Sequence, residues 1–131
     1  DSGMIVETPP IRIKSYSVTG NKIYAFGHYF KPKSNSSNDN GFIYSTDNGE
    51  NWEYKSFGKY NDITFFSSYF SSPNVGYIVG ESGHFLKTTD GGNNWTKIDL
   101  NTFKNIFDIE KINDNTLILV GEDGFIYKYN I

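Results

Sequence analysis

The sequence predicts an all-β chain of three repeated units, and two kinds of observation carry that prediction. The first is repetition: residues 45–52 (STDNGENW) recur as residues 88–95 (TTDGGNNW), and residues 77–87 (YIVGESGHFLK) recur as residues 118–128 (ILVGEDGFIYK). Both offsets are roughly 41–43 residues, and two overlapping signatures that keep one period indicate a repeat architecture. The second is a series of short runs rich in Ile, Val, Thr, Tyr and Phe, bounded by Gly, Asn, Asp and Ser, which are typical of strands.

No stretch of the chain carries the apolar spacing of an amphipathic helix, so each run is interpreted as a strand. The connections at residues 80–83 (GESG) and 121–124 (GEDG) are hairpin turns, whose glycines supply the positive φ angles that such turns demand. In order along the chain, the predicted strands are Met4–Thr8, Ile11–Val18, Lys22–Tyr29, Gly41–Thr46, Trp52–Phe57, Ile63–Phe70, Gly76–Gly80, His84–Thr88, Trp95–Leu100, Phe107–Ile112, Thr116–Gly121 and Phe125–Tyr129.

Composition excludes several classes of protein. The 131 residues include 18% aromatic residues and no cysteine, so the chain is globular and has neither disulfides nor a thiolate nucleophile. A net charge of −3 and a single arginine, Arg12, give no reason to expect a nucleic-acid partner. No apolar run approaches the roughly 18 residues of a membrane-spanning helix. The chain begins at Asp1 rather than Met, so we expect a processed form or an excised domain.

The repeated box is a turn sequence in which a short aspartate accepts hydrogen bonds from its own backbone. It resembles the Asp-box of bacterial neuraminidases, Ser/Thr-x-Asp-x-Gly-x-x-Trp, and the phrase around Gly83 to Trp95 is similar to repeats of the photosystem II assembly-factor, sortilin and xyloglucanase types. The resemblance implies fold more than function, because the box is shared by many activities. The residues to which it gives structural roles are Ser45, Asp47, Gly49 and Trp52 in the first copy and Thr88, Asp90, Gly92 and Trp95 in the second.

The resemblance implies a β-propeller whose blades are four-stranded antiparallel sheets. Residues 1–131 then form a single domain of three blades, at about 11–57, 63–100 and 106–131, the last completed by the strand at 4–8. Known propellers have about 4 to 8 blades. Three blades do not close a ring, so we expect either a six-bladed homodimer or part of a larger propeller; both alternatives stay open.

The resemblance to neuraminidases does not imply sialidase activity for this chain. That family holds the substrate carboxylate with three arginines, whereas this chain has only Arg12. The two histidines, His28 and His84, fall on different blades and are interpreted as strand or surface residues. Asp47 and Asp90 occupy equivalent turns on adjacent blades, so they do not converge on one substrate. We therefore assign no catalytic residue, no cofactor and no metal site.

The most unusual segment is a polar insertion at residues 31–40 (KPKSNSSNDN), in place of a tight hairpin. The hairpins between second and third strands share one face with the loops between blades, opposite the Asp-box turns, and we expect ligands to bind there. We predict an exported or cell-surface scaffold that binds a protein or carbohydrate partner and self-associates. The alternatives are part of a glycoside hydrolase propeller and a purely self-assembling module. The candidate binding residues are His28, Tyr29, Lys31, Lys33, Tyr60, Glu81, Phe103 and Glu122.

Overall fold

The chain is all-β, as predicted. A computed structural model describes residues 2–9, 11–29 and 40–131, apart from the side chains of residues 28 and 29. Single 3-10 turns lie at Gly58–Tyr60, Glu81–Gly83 and Glu122–Gly124. The strands of the described part are β1 (Ile11–Thr19), β2 (Lys22–Tyr29), β3 (Asn40–Ser45), β4 (Glu53–Ser56), β5 (Phe65–Phe70), β6 (Gly76–Gly80), β7 (Phe85–Thr88), β8 (Thr96–Lys97), β9 (Ile106–Asn113), β10 (Thr116–Gly121) and β11 (Ile126–Asn130).

The strands form three antiparallel meanders that follow the order of the chain. The first sheet has the order β1-β2-β3-β4, the second β5-β6-β7-β8, and the third β9-β10-β11. In the second sheet the connection from the second to the third strand and the exit from the fourth strand lie at one end. The Asp-box turns, between the third and fourth strands, lie at the other end. The topology therefore gives the repeat a loop face and an Asp-box face.

Two predicted strands differ from the observed ones by more than two residues. The segment predicted as the strand Met4–Thr8 lies within the described residues 2–9, which form no strand, so the third sheet has three strands. The second sheet lies between the other two, which keeps the N-terminal segment away from β11 of its own chain. The predicted strand Trp95–Leu100 shrinks to two residues, because its partner β7 is only four residues long.

The core consists of two apolar layers, one on each side of the second sheet. The layer between the first and second sheets is aromatic: the rings of Tyr24 and Phe70 stack with centroids 4.1 Å apart, and Phe26, Phe42 and Phe57 surround them. Burial raises the pKa of Tyr24 to about 12, and its hydroxyl donates to the carbonyl oxygen of Pro73 over 2.8 Å. The layer between the second and third sheets contains Tyr77, Val79, Phe85, Ile106, Ile109, Leu117 and Leu119.

The glycines of the two hairpins differ from the prediction, because only one glycine of each hairpin has a positive φ angle. Gly83 and Gly124 have positive φ angles of 73°. Gly80 and Gly121, by contrast, are extended, with φ of −160° and −158°. A Cβ at Gly80 would lie 2.4 Å from the carbonyl oxygen of Thr64. A Cβ at Gly121 would lie 2.1 Å from the carbonyl oxygen of Asn105. These two positions need glycine because the first strand of the sheet passes too close for any side chain.

Candidate functional site

The first Asp-box is a closed hydrogen-bonded turn. The carboxylate of Asp47 accepts from the backbone N–H of Asn51 over 2.9 Å, from its side-chain amide over 2.7 Å, and from the hydroxyl of Ser45 over 2.8 Å. The Ser45 oxygen in turn accepts from the N–H of Gly49. The indole N–H of Trp52 donates to the Gly49 carbonyl over 2.9 Å. The side chains of Ser45, Asp47 and Trp52 therefore all find partners inside the turn.

The second box repeats this network with one exception. Asp90 accepts from the backbone and side-chain N–H groups of Asn94 over 2.9 and 2.7 Å, and from the hydroxyl of Thr88 over 2.9 Å. The N–H of Gly92 donates to the Thr88 oxygen over 2.9 Å. The indole Nε1 of Trp95, however, is buried and has no hydrogen-bond partner within the described chain. The two boxes therefore differ in the indole hydrogen bond, which Trp52 makes within its turn and Trp95 does not make.

These networks fix the ionisation of both aspartates. Hydrogen bonds from the side chain and backbone of Asn51, and from the hydroxyl of Ser45, lower the pKa of Asp47 to about 2. The corresponding bonds from Asn94 lower the pKa of Asp90. A general acid at neutral pH needs the opposite shift. Each carboxylate is also held within the turn of its own sheet, so the geometry gives neither the role of an acid–base pair.

Two candidate binding residues on the loop face brace the loops between sheets. The Glu81 carboxylate accepts from the backbone N–H of Thr64 over 3.0 Å. The Glu122 carboxylate accepts from the N–H of Asn105 over 2.8 Å. Each pair also has a second hydrogen bond. The backbone N–H of the glutamate donates to the carbonyl oxygen of the same loop residue over 3.0 Å. The structure thus gives Glu81 and Glu122 the same positioning contact in consecutive sheets.

The other candidate binding residues are spread over the loop face. The backbone of His28 and Tyr29 ends β2, and Lys31 and Lys33 lie outside the described residues. Tyr60 ends a 3-10 turn, and its ring meets His84 edge-on with centroids 6.0 Å apart.

Phe103, in the next loop between sheets, has a relative exposure of 90%. Tyr60 lines a concave surface.

That surface is a groove of about 440 Å³ where the first and second sheets meet at the outer rim. One wall is the turn after β4, where the Lys59 ammonium lies 5.1 Å from the centroid of the Tyr60 ring. The other wall is the end of the second Asp-box, including Trp95, whose ring packs edge-on against Phe57 at 5.6 Å. The full lining is Ser56, Phe57, Gly58, Lys59, Tyr60, Asn93, Asn94 and Trp95. We call this surface the rim groove.

Sequence reasoning identified only two members of the rim groove, Tyr60 and Trp95, and assigned Trp95 to the fold. Phe57, Lys59 and Asn93 were missed because nothing in the sequence places the turn after β4 beside the box of the following sheet. One signal was available: at the same repeat position, 43 residues further on, Lys59 is replaced by Thr102 in the next loop.

Two further searches bear on other kinds of site. Within residues 2–9, 11–29 and 40–131, no group of three or more His, Asp or Glu side chains is placed to hold a metal ion. The described part of the chain also contains no helix with the length and hydrophobicity needed to cross a bilayer.

Comparison with known proteins places this geometry in a family. The sequence pattern of the family described as photosynthesis system II assembly factor YCF48 matches residues 36–130. No curated protein sequence matches the chain significantly.

Solved structures show the same fold. A structure described as "YCF48 bound to D1 peptide" matches 95% of the chain with a TM-score of 0.75 and 21% identity. "YCF48 from Cyanidioschyzon merolae" matches 95% with a TM-score of 0.68 and 19% identity.

The chain spans 39% and 38% of the length of these two structures. The match confirms the predicted propeller fold and the predicted resemblance to photosystem II assembly-factor repeats.

Proposed function

Because this chain belongs to the family of the photosynthesis system II assembly factor YCF48, we propose that it is a non-catalytic propeller scaffold that binds a segment of a partner protein in the rim groove. One solved relative is described as bound to a D1 peptide, so a peptide ligand has a precedent on this fold. The observation that carries the proposal is the rim groove itself, whose volume lies in the range of about 300–1,000 Å³ typical of ligand sites.

The polar groups of the rim groove favour a ligand rich in acceptors. Its one charged lining residue is Lys59, and none of the described lining residues is acidic. The rings of Tyr60, Phe57 and Trp95 supply flat apolar walls. A peptide segment with a carboxylate, or a carboxyl terminus, matches this combination.

The test is calorimetric titration of the chain with a D1 peptide and with the same peptide after its carboxylates are replaced by amides. We expect the D1 peptide to bind and the amide version to bind at least tenfold more weakly. The matched pair of variants is Lys59→Glu, in the rim groove, and Lys97→Glu, on the exposed strand β8. Lys59→Glu should weaken binding at least tenfold and Lys97→Glu should leave it unchanged. Absence of binding to the wild-type chain, or equal binding by both variants, would contradict the proposal.

A carbohydrate is the second candidate ligand, and the specific observation in its favour is the pairing of aromatic rings with amides in the rim groove. Tyr60 and Trp95 offer ring faces to a sugar, and Asn93 and Asn94 offer amide groups. The same titration with a neutral oligosaccharide distinguishes the two. Binding of the sugar that is insensitive to Lys59→Glu would favour the carbohydrate over the carboxylate-bearing peptide.

We also propose that the three sheets self-associate into a ring of six blades. Three sheets stacked in the order of the chain leave the outer faces of the first and third sheets on opposite flanks. Light scattering that finds twice the mass of the chain would support association; a monomer at all concentrations would refute it.

A further inference from the structure

Asn40 is a buried polar residue beside the turn that forms one wall of the rim groove. It begins β3 and has a relative exposure of 7%. Its side-chain amide donates to the carbonyl oxygen of Ile63 over 2.7 Å. Its backbone N–H donates to the carbonyl oxygen of Asn61 over 2.7 Å, and its carbonyl oxygen accepts from the backbone N–H of Phe57 over 3.3 Å. One residue of the first sheet thus holds the loop after β4 at three points.

These three points enclose the wall of the rim groove. The 3-10 turn Gly58–Tyr60 begins directly after Phe57 and ends directly before Asn61. Within it, the N–H of Tyr60 donates to the carbonyl oxygen of Phe57 over 3.3 Å. The cation and the ring that this wall gives to the groove, Lys59 and Tyr60, both lie inside the enclosed stretch. A shift of the anchored loop therefore moves the groups that the proposed ligand would meet.

The other sheets have glycine where the first sheet has Asn40. By the offset between the two boxes, Asn40 corresponds to Gly83, which in turn corresponds to Gly124 of the third sheet. A Cβ at Gly83 would lie 2.0 Å from the carbonyl oxygen of Thr102, so the loop after β8 packs directly against this glycine. That loop, residues 98–105, is described throughout and contains no 3-10 turn. A side chain at position 40 and a turn in the facing loop thus occur together, at the joint that holds the rim groove.

The second joint also uses an asparagine, but from the opposite side. The side-chain oxygen of Asn105, the last residue of its loop, accepts from the backbone N–H of Ser82 over 2.9 Å. The matching bonds to Glu81 and Glu122 show that Thr64 takes the place of Asn105 at the first joint. Since Thr64 has no side-chain amide, the first loop receives its amide contact from the sheet, through Asn40.

From these observations we infer that Asn40 is a positioning residue of the rim groove. Its side chain fixes the end of the loop after β4, and so sets the place of the Lys59 ammonium and the Tyr60 ring. Asn40 is also the last residue of the polar insertion, so the insertion ends on the anchor of the groove wall. This inference rests on the function proposed for the rim groove and adds a residue that lies outside its lining.

The test substitutes Asn40→Ala and measures amide hydrogen exchange together with D1 peptide affinity. The N–H groups of Tyr60 and Asn61 should exchange about tenfold faster, because the wall loses one net hydrogen bond. The N–H of Gly92, which is bound within the second box, should keep its wild-type rate. The affinity for the D1 peptide should fall at least tenfold. A substitution that merely lowered global stability would accelerate all three amides and leave the affinity of the folded protein unchanged.

The matched control is Asn105→Ala, which removes an asparagine side chain from the second joint. It should accelerate exchange of the Ser82 N–H, because that group loses its acceptor. Exchange at Tyr60 and the affinity for the D1 peptide should stay at their wild-type values. Equal effects of the two substitutions on D1 peptide affinity would overturn the inference.

A second variant, Asn40→Asp, makes the loss reversible and serves also if Asn40→Ala does not fold by circular dichroism. Its neutral carboxyl has the shape of the amide and can donate its O–H to the Ile63 carbonyl oxygen, whereas the carboxylate has no proton to donate. Relative to the wild type at the same pH, this variant should bind the D1 peptide more weakly at neutral pH and recover at acidic pH.

The outcomes separate this inference from the function on which it rests. Turn amides that exchange at wild-type rates in both Asn40 variants, or an affinity that does not recover at acidic pH, would overturn the positioning role. A wild-type chain that does not bind the D1 peptide would refute the proposed function. The exchange rates of Tyr60 and Asn61 would still decide whether Asn40 holds the wall in place.

Discussion

Removing the Asp90 side chain is the most direct measure of what an Asp-box does here. In Asp90→Ala, the backbone N–H and the side-chain amide of Asn94 each lose their acceptor, and so does the hydroxyl of Thr88. The second box closes the edge of the aromatic layer, since Trp95 follows it directly and packs against Phe57. We expect a loss of stability with no loss of any ligand contact.

The size of the loss follows from these bonds. Each net hydrogen bond contributes about 0.5–1.5 kcal/mol, so three bonds set an upper range of about 1.5–4.5 kcal/mol. Asn94 is exposed, so water replaces part of what its two N–H groups lose. Thr88 is buried, and its hydroxyl keeps a role as acceptor for Gly92. We therefore expect Asp90→Ala to lower the free energy of unfolding by about 1–3 kcal/mol.

The assay is urea unfolding followed by tryptophan fluorescence, because Trp95 lies at the edge of the aromatic layer and reports on its opening. The control is Asp99→Ala, an exposed aspartate whose carboxylate accepts a single turn bond, from the N–H of Asn101 over 2.7 Å. This control should lose clearly less stability than Asp90→Ala. If Asp90→Ala keeps wild-type stability but loses peptide or sugar binding, the structural interpretation of the box is wrong and Asp90 belongs to a binding site.

Two further predictions concern pH and a hairpin glycine. The pKa of Asp47 is lowered to about 2 and that of Asp90 is also lowered, so their contribution to stability is fully present above about pH 4 and is lost as the pH falls toward 2. Thermal unfolding should show this acid loss in the wild type and a flatter profile in the Asp47→Asn, Asp90→Asn double variant; equal profiles would contradict it. Gly80→Ala should destabilise the chain by about 1–3 kcal/mol, because its Cβ would strike the Thr64 carbonyl oxygen. Gly3→Ala, with nothing within 4 Å, should not, and chemical denaturation that finds Gly80→Ala neutral or stabilising would show that β5 can move away.

The repeat period and the strand pattern predict most of the fold. Strands β2, β6 and β10 match their predicted bounds because alternating apolar residues run between clear turn signals. The strand predicted at Trp95–Leu100 is reduced to Thr96–Lys97, which pair only with Leu86 and Lys87 of β7. The N–H of Ile98 still bonds to Phe85, but Leu100 packs on the second core layer and Asn101 turns with a φ of 57°.

Much less of the candidate site could be predicted from the sequence. The rim groove joins a turn of the first sheet to the box of the second, and its depth depends on how two sheets pack. Exposure alone selected Phe103, which stands free on its loop rather than lining a concave surface. The interpretation of Lys31 and Lys33 as ligand-binding residues and the expected export of the chain stay predictions.

Comparison of the repeats with each other separates folding from function better than any single residue does. Positions that make the same contact in two sheets, such as Glu81 and Glu122, serve the repeat. Function is to be sought where copies diverge. Lys59 of the first joint corresponds to Thr102 at the second, so the cation is missing from the second copy, whereas Tyr60 corresponds to another aromatic residue, Phe103.

The two tryptophans diverge in the same way, because the Trp52 indole is satisfied within its turn and the Trp95 indole is not. All these departures from the repeat meet at the joint between the first and second sheets. A chain whose sheets served only to stack on one another would have no use for a cation and an unpaired donor at that joint. The rim groove, rather than the Asp-box, is therefore the place to look for a partner.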